Sequence, residues 1–140
     1  MKPKERSRAR QFAVQAVYQW QLTQAPMVDI FEQFSADQDL SKTDIPYFKE
    51  LVAGVINNCD TLDEQLAPYL SRKLADVDKV DIAVLRLAMF ELKYREDVPH
   101  KVVLNEAIEL AKDFATDESY KFINGVLDKA LRSLKLRAIN

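Results

Sequence analysis

At 140 residues and 16.1 kDa, with 48% hydrophobic and 30% charged residues, the chain is sized for one domain and too rich in apolar side chains for a disordered one. No apolar run approaches the roughly 20 residues that span a bilayer, and the basic start lacks the apolar segment of an export signal. The formal charge of -2 conceals a polarity: Lys2, Lys4, Arg6, Arg8 and Arg10 against Glu5 give the first ten residues +4, residues 128–140 carry +3, and the stretch between them is -9.

Two glycines leave few places for tight hairpin turns, which argues against an all-β fold. Ala9, Ala13, Ala16, Val17 and Trp20 share one face of a first predicted helix that stops before Pro26. Ile30, Phe31 and Phe34 predict a short second helix. A third starts at Asp44, an N-cap with Pro46 in the first turn, and carries Phe48, Leu51, Val52, Val55 and Ile56 at helical spacing. Thr61 and Glu64 read as a capping box opening a fourth helix with Leu62, Leu66 and Leu70, which Pro68 kinks or shortens. In VDIAVLRLAMFEL, residues 80–92, only Asp81, Arg86 and Glu91 interrupt an apolar surround, so this fifth helix is buried on most sides. Val103, Ala107, Leu110, Ala111 and Phe114 mark a sixth helix, and Ile123, Val126, Leu127, Ala130, Leu131 and Leu134 a seventh. The expected fold is all-α, about seven helices in one domain over residues 1–140, with helical halves of approximately 1–60 and 61–140 sharing one core. Gly54 and Gly125 fall inside these stripes, where glycine costs about 1 kcal/mol against alanine, and close approach of a neighbouring helix backbone is the expected compensation.

Catalytic chemistry is poorly provided for. His100 is the one histidine and Cys59 the one cysteine, so a zinc site would need an unusual carboxylate set. His100 reads as a solvated or capping residue and Cys59 as a small core hydrophobe; a lone cysteine also suits a reducing compartment, and a cytoplasmic location is expected. The carboxylates at Asp60, Asp63 and Glu64, at Asp76, Asp78 and Asp81, and at Glu96 and Asp97 each precede or open a predicted helix, where dipole and capping roles account for them. Neither a catalytic residue, a cofactor nor a metal is expected. The basic start is different, because cations at a helix N-terminus oppose the macrodipole. Phosphate neutralisation is one explanation for them; a membrane surface, a docked protein and a frayed, solvated helix start are the alternatives. Single-stranded RNA fits better than duplex DNA: splayed bases stack on aromatic side chains, for which Tyr69, Tyr120 and Phe122 are candidates against a bland reading as core.

The segment VPHKVVLNEAIELAKDFATDESYKFINGVLDKAL, residues 98–131, closely resembles the C-terminal signature of the bacterial transcription antitermination factor family NusB. AVLRLAMFEL, residues 83–92, and RARQFAVQAVYQWQL, residues 8–22, resemble that family's central buried helix and first helix, so the resemblance runs nearly end to end. It implies an all-helical, non-enzymatic protein that pairs with the ribosomal protein NusE, binds the boxA element of nascent RNA, and joins NusA, NusG and RNA polymerase in complexes that read through terminators, notably on ribosomal RNA operons. By position it implies an RNA surface of Lys2, Arg6, Arg8, Arg10, Tyr69, Glu118, Lys121 and Phe122, with Arg6 and Arg10 on phosphate and Tyr69 and Phe122 on bases or sugars. Glu118 departs from the aspartate often found there, and Ser7 replaces a basic residue of some relatives. Tyr18 and Asp81 resemble NusE-contact positions. The alternatives are the NusB-like module of a ribosomal RNA cytosine methyltransferase, for whose catalytic domain residues 132–140 hold no room, and a docking module that never touches RNA. An unpartnered homodimer that hides the RNA surface is compatible with either family reading.

Overall fold

The computed structural model describes the backbone of residues 3–139 and the side chains of residues 3–134; Lys2 lies outside them, as do the side chains of Lys135 and Arg137. Seven α-helices follow one another: α1 Pro3–Thr23, α2 Met27–Asp37, α3 Ile45–Asn57, α4 Cys59–Leu66, α5 Lys79–Tyr94, α6 His100–Phe114 and α7 Asp117–Ile139. Single 3-10 turns at Ala67–Tyr69 and Leu74–Asp76 connect α4 to α5, and the described residues contain no strand.

Helix ends follow local chemistry. Gln24 takes a left-handed φ of 55°, and its amide closes α1 on the Trp20 carbonyl just before Pro26. Asp44 caps α3 by accepting from the Tyr47 amide at 3.1 Å, with Pro46 in the first turn, and Asp78 caps α5 through the Val80 amide at 2.9 Å. The fourth helix departs from expectation. It begins at Cys59, two residues ahead of Thr61, and the expected capping box does not form. Asn58 ends α3 by donating its side chain to the Gly54 carbonyl at 2.8 Å, so the chain re-enters a helix at once and Thr61 is already inside it. Pro68 acts as expected, turning the end of α4 into one 3-10 turn.

Helix α5 is the axis of the molecule, with α1, α3, α4, α6 and α7 packed around it. Of residues 81–92 only Arg86 escapes full burial, which is what a stripe without a polar face requires. Arg86 is itself partnered, bidentate to Asp63 of α4 at 2.8 and 2.9 Å and donating to Gln21 of α1 at 2.9 Å; Asp63, expected to serve the helix dipole, pairs across helices instead. Helix α1 runs antiparallel to α5: Arg10 meets Glu91 at one end, and Gln21 donates to the Lys79 carbonyl at the other. Phe12, Phe34, Phe48 and Phe31 knit α1, α2 and α3 through ring pairs 5.8–6.5 Å apart. The buried residues of all seven helices form one core.

The two glycines divide. A Cβ on Gly54 would overlap the ring carbons of Phe90, so α3 and α5 approach through a side chain rather than through backbone as expected; Gly125 faces open space and has no such reason. Phe114 leaves its expected place in the core and is exposed at the end of α6. No helix among the described residues is long and apolar enough to cross a membrane.

Candidate nucleic-acid interface

The basic start of α1 separates into three environments. Arg8 is exposed, and among the described residues no carboxylate lies within ion-pair distance of it. Arg6 is 26% exposed; its guanidinium sits 4.4 Å over the Tyr47 ring, with Asp44 and Asp97 at 3.7 and 3.6 Å. These are loose contacts, and its Nε has no hydrogen-bond partner. Arg10 does not reach the surface on which a phosphate contact was expected: it is 3% exposed and lies in the core. Its Nε and Nη2 donate to the Glu91 carboxylate at 2.9–3.1 Å, and Glu106 of α6 stands 3.3 Å from Nη1. The Tyr47 hydroxyl donates to the same Glu91 carboxylate, and Ser7 to Glu106. The physical reason is helical phase. Position 10 lies one residue from Ala9 and three from Ala13 on the buried stripe, and Glu91 supplies a matching charge from α5. Burial opposes the Arg10 charge, but Glu91 outweighs it and holds the pKa above its ordinary value; burial and Glu91 together push the Tyr47 phenol up, which keeps it a donor.

A second cluster opens α7. Glu118 and Lys121 are exposed and Phe122 is half-buried against the core. Over the Phe122 ring, 4.3 Å from its centre, lies the guanidinium of Arg72, from the exposed stretch Ser71–Lys73 between the two 3-10 turns. Sequence reasoning missed Arg72. The signal was there as the basic pair Arg72-Lys73 bracketed by Leu70 and Leu74, but nothing in one dimension ties it to residue 122. Tyr69, half-buried two residues before Ser71, lines a hollow of about 220 Å³ with Pro68, Met89, Lys93 and Leu134. The anchors of the two clusters lie toward opposite ends of α5: Arg10 pairs near its C-terminus and Ser119 stands by Asp81 near its N-terminus, ten residues or about 15 Å along the axis.

Tyr18 and Asp81, read as partner contacts, also separate. Tyr18 is 36% exposed and lines a groove of about 600 Å³ between α1, α2, α5 and the end of α6, with Leu22, Phe34, Val80 and Phe114 among its walls. Asp81 is 3% exposed and turns away from that groove beneath the first turn of α7, so it does not stand on a free surface. Its Oδ1 has no hydrogen-bond partner. Burial pushes its carboxyl above the ordinary value, which Ser119 partly offsets. The folded protein thus holds this proton more tightly than the unfolded chain, and its contribution favours folding at low pH and is lost as pH rises through the raised value. Asp81→Asn is expected to remove that loss, so that the urea midpoint of the variant relative to the parent climbs as pH is taken from below the carboxylate range to neutrality. A difference that stays flat with pH would show that this carboxylate is not desolvated.

Elsewhere, Cys59 is half-buried and burial pushes its thiol up, away from reactivity. Among the described residues no three His, Cys, Asp or Glu side chains gather as metal ligands would.

Comparison with known proteins fits this geometry. Residues 7–132 match the NusB family. Transcription antitermination protein NusB of Psychromonas ingrahamii is 77% identical over 137 residues, covering 98% of this chain and 94% of that protein. The protein of the same name from Tolumonas auensis is 57% identical, covering 98% and 99%. Both relatives are, by name, transcription antitermination proteins. Among solved structures, NusB of T. maritima superposes with a TM-score of 0.68 at 30% identity, over 90% of this chain and 89% of that one. A crystal structure of antitermination factors NusB and NusE in complex with dsRNA shares the fold with a TM-score of 0.81 at 23% identity, covering 94% and 99%. On its sequence and on its all-helical fold, the chain belongs to the NusB family.

Proposed function

We propose that this protein is a non-enzymatic transcription antitermination factor of the cytoplasm that pairs with NusE, loads onto boxA in nascent ribosomal RNA, and joins NusA, NusG and RNA polymerase. The observation that carries the reading is the family match over residues 7–132, which takes in Arg8 and Arg10 of the basic start, the cluster that opens α7 and the Tyr18 groove. The geometry supports it in two ways. Arg8, Lys121 and the half-exposed Phe122 offer unspent cations and an aromatic ring to a single strand, the combination that such ligands need. The groove offers a partner protein an apolar surface, with the Tyr18 ring and the exposed Leu22 and Phe114 at its edge. RNA and partner then occupy different surfaces, so both bind at once.

Fluorescence anisotropy with boxA-bearing and scrambled single-stranded RNA, with and without NusE and at two salt concentrations, tests this. Selective binding that NusE strengthens is expected. Tyr18→Asp is expected to weaken NusE binding at least thirtyfold, about 2 kcal/mol for an interface tyrosine, while RNA binding by the chain alone is kept. Equal binding to both RNAs, or none, would overturn the assignment. Intact NusE binding in Tyr18→Asp would move the partner off the groove.

A further inference from the structure

The arginines of the described side chains divide sharply by what already holds them. Arg6, Arg10, Arg86, Arg95 and Arg132 each have a carboxylate within ion-pair distance, whereas Arg8 and Arg72 have none among the described residues. Arg8 belongs to the basic start already described. Arg72 stands toward the other end of α5, on the exposed stretch between the two 3-10 turns.

We propose that Arg72 is an RNA-contacting residue that presents its guanidinium as a stacking plane above Phe122 and its free N–H edge to a phosphate; the proposal rests on the RNA-binding reading above. Stacking leaves the in-plane donors of a guanidinium unspent, because the ring meets its face and hydrogen bonds leave from its edge. At 4.3 Å from the ring centre the Arg72 guanidinium is within cation–π contact of Phe122. Phe122 packs against the core, so Arg72 carries the aromatic platform outward to where an unstacked base can lie on it. Asp81, close enough to feel the Arg72 charge, is buried and makes no ion pair with it. Lys73 beside it and Lys121 beside Phe122 are exposed, so positive charge flanks the stacked pair on both contributing segments. Tyr69 lies on the same connection, and α7 packs against the turn that contains it. A strand that crosses this connection thus meets Tyr69, Arg72 and Phe122 in turn, although Phe122 lies fifty residues from Arg72 in the chain.

A phosphate contact and a purely positional role differ in salt dependence. Arg72→Ala is expected to weaken boxA RNA binding about tenfold and to flatten the log–log salt slope by about 0.7, the value for one single-strand contact. Arg72→Lys is expected to keep the slope and still lose affinity several-fold, since an ammonium supplies charge without a stacking plane. Arg132→Ala, which removes a cation already paired with Asp128, is expected to leave slope and affinity unchanged. Urea unfolding of Arg72→Ala is expected to match the parent, because the residue is exposed and outside any helix. If the parent binds boxA and Arg72→Ala binds it with the same affinity and slope, the proposal is wrong while the RNA-binding reading stands. Lost affinity with an unchanged slope would reduce Arg72 to a support for Phe122, and a loss confined to NusE binding would make it a protein contact; either overturns the proposal. A parent protein that binds no RNA would remove the underlying reading itself.

Discussion

Glu91→Ala is expected to lower the unfolding free energy by about 3–5 kcal/mol, because it leaves a buried guanidinium without its main counter-charge. Arg10 would keep only Glu106 at 3.3 Å, and the Tyr47 hydroxyl would lose its acceptor. Four helices meet there: Arg10 from α1, Tyr47 from α3, Glu91 from α5 and Glu106 from α6. Equilibrium urea unfolding measures the loss. The combination Arg10→Met, Tyr47→Phe and Glu91→Leu removes charge and hydroxyl together and is expected to recover most of it, since a buried ion network contributes little beyond an apolar cluster of similar volume. The triple variant also separates the two readings of Arg10. If the residue acts only inside the fold, the recovered protein binds RNA as the parent does. A stable triple variant with weakened RNA binding would mean that Arg10 leaves Glu91 to meet the ligand. A cost below about 1 kcal/mol for Glu91→Ala alone would show that the pair is solvated rather than buried.

Gly54→Leu is expected to cost about 3 kcal/mol, the upper part of the usual range for overpacking a core. The first added carbon already overlaps the Phe90 ring. That ring cannot swing freely, because it is buried and stacks on Tyr94 with centroids 5.3 Å apart. Gly54→Ala is a milder version, in which a gain of about 1 kcal/mol in helix propensity offsets part of the clash. Phe90→Ala in the Gly54→Leu background is expected to be less harmful than in the parent, since each change makes room for the other. Purely additive losses in this double-mutant cycle, read by thermal or urea unfolding, would show that glycine is not kept for this contact.

Much of the fold was legible because it depends on periodicity and punctuation, both of which are local. The burial of residues 81–92 around α5, the Asp44 cap with Pro46, and the stop before Pro26 follow from spacing and from backbone restrictions. The capping box at Thr61 misled because its pattern is also satisfied by a helix already under way, and Asn58 had ended α3 three residues before the Thr61 at which the pattern places its N-cap. Phe114 misled for a related reason: the last turn of a helix extends past its neighbours, so a residue in phase with the stripe can still project into solvent.

The chemistry of the site was less legible, since it depends on which charges meet across helices. Counting charges located the basic start, and resemblance pointed to Phe122 and Tyr18, but neither could tell a free arginine from a spent one. Arg6, Arg8 and Arg10 look alike in the chain, yet successive helical residues turn by about 100°, which puts one in the core, one at its margin and one in water. By itself the sequence determined an all-helical domain, the course of its helices, its family and the sign of its ends, because each of these rests on residue order within one turn or one segment. Only the tertiary structure decided that Glu91 consumes Arg10, that Asp81 is buried away from the Tyr18 groove, and that Arg72 meets Phe122, because these pairings join residues far apart in the chain through the packing around α5.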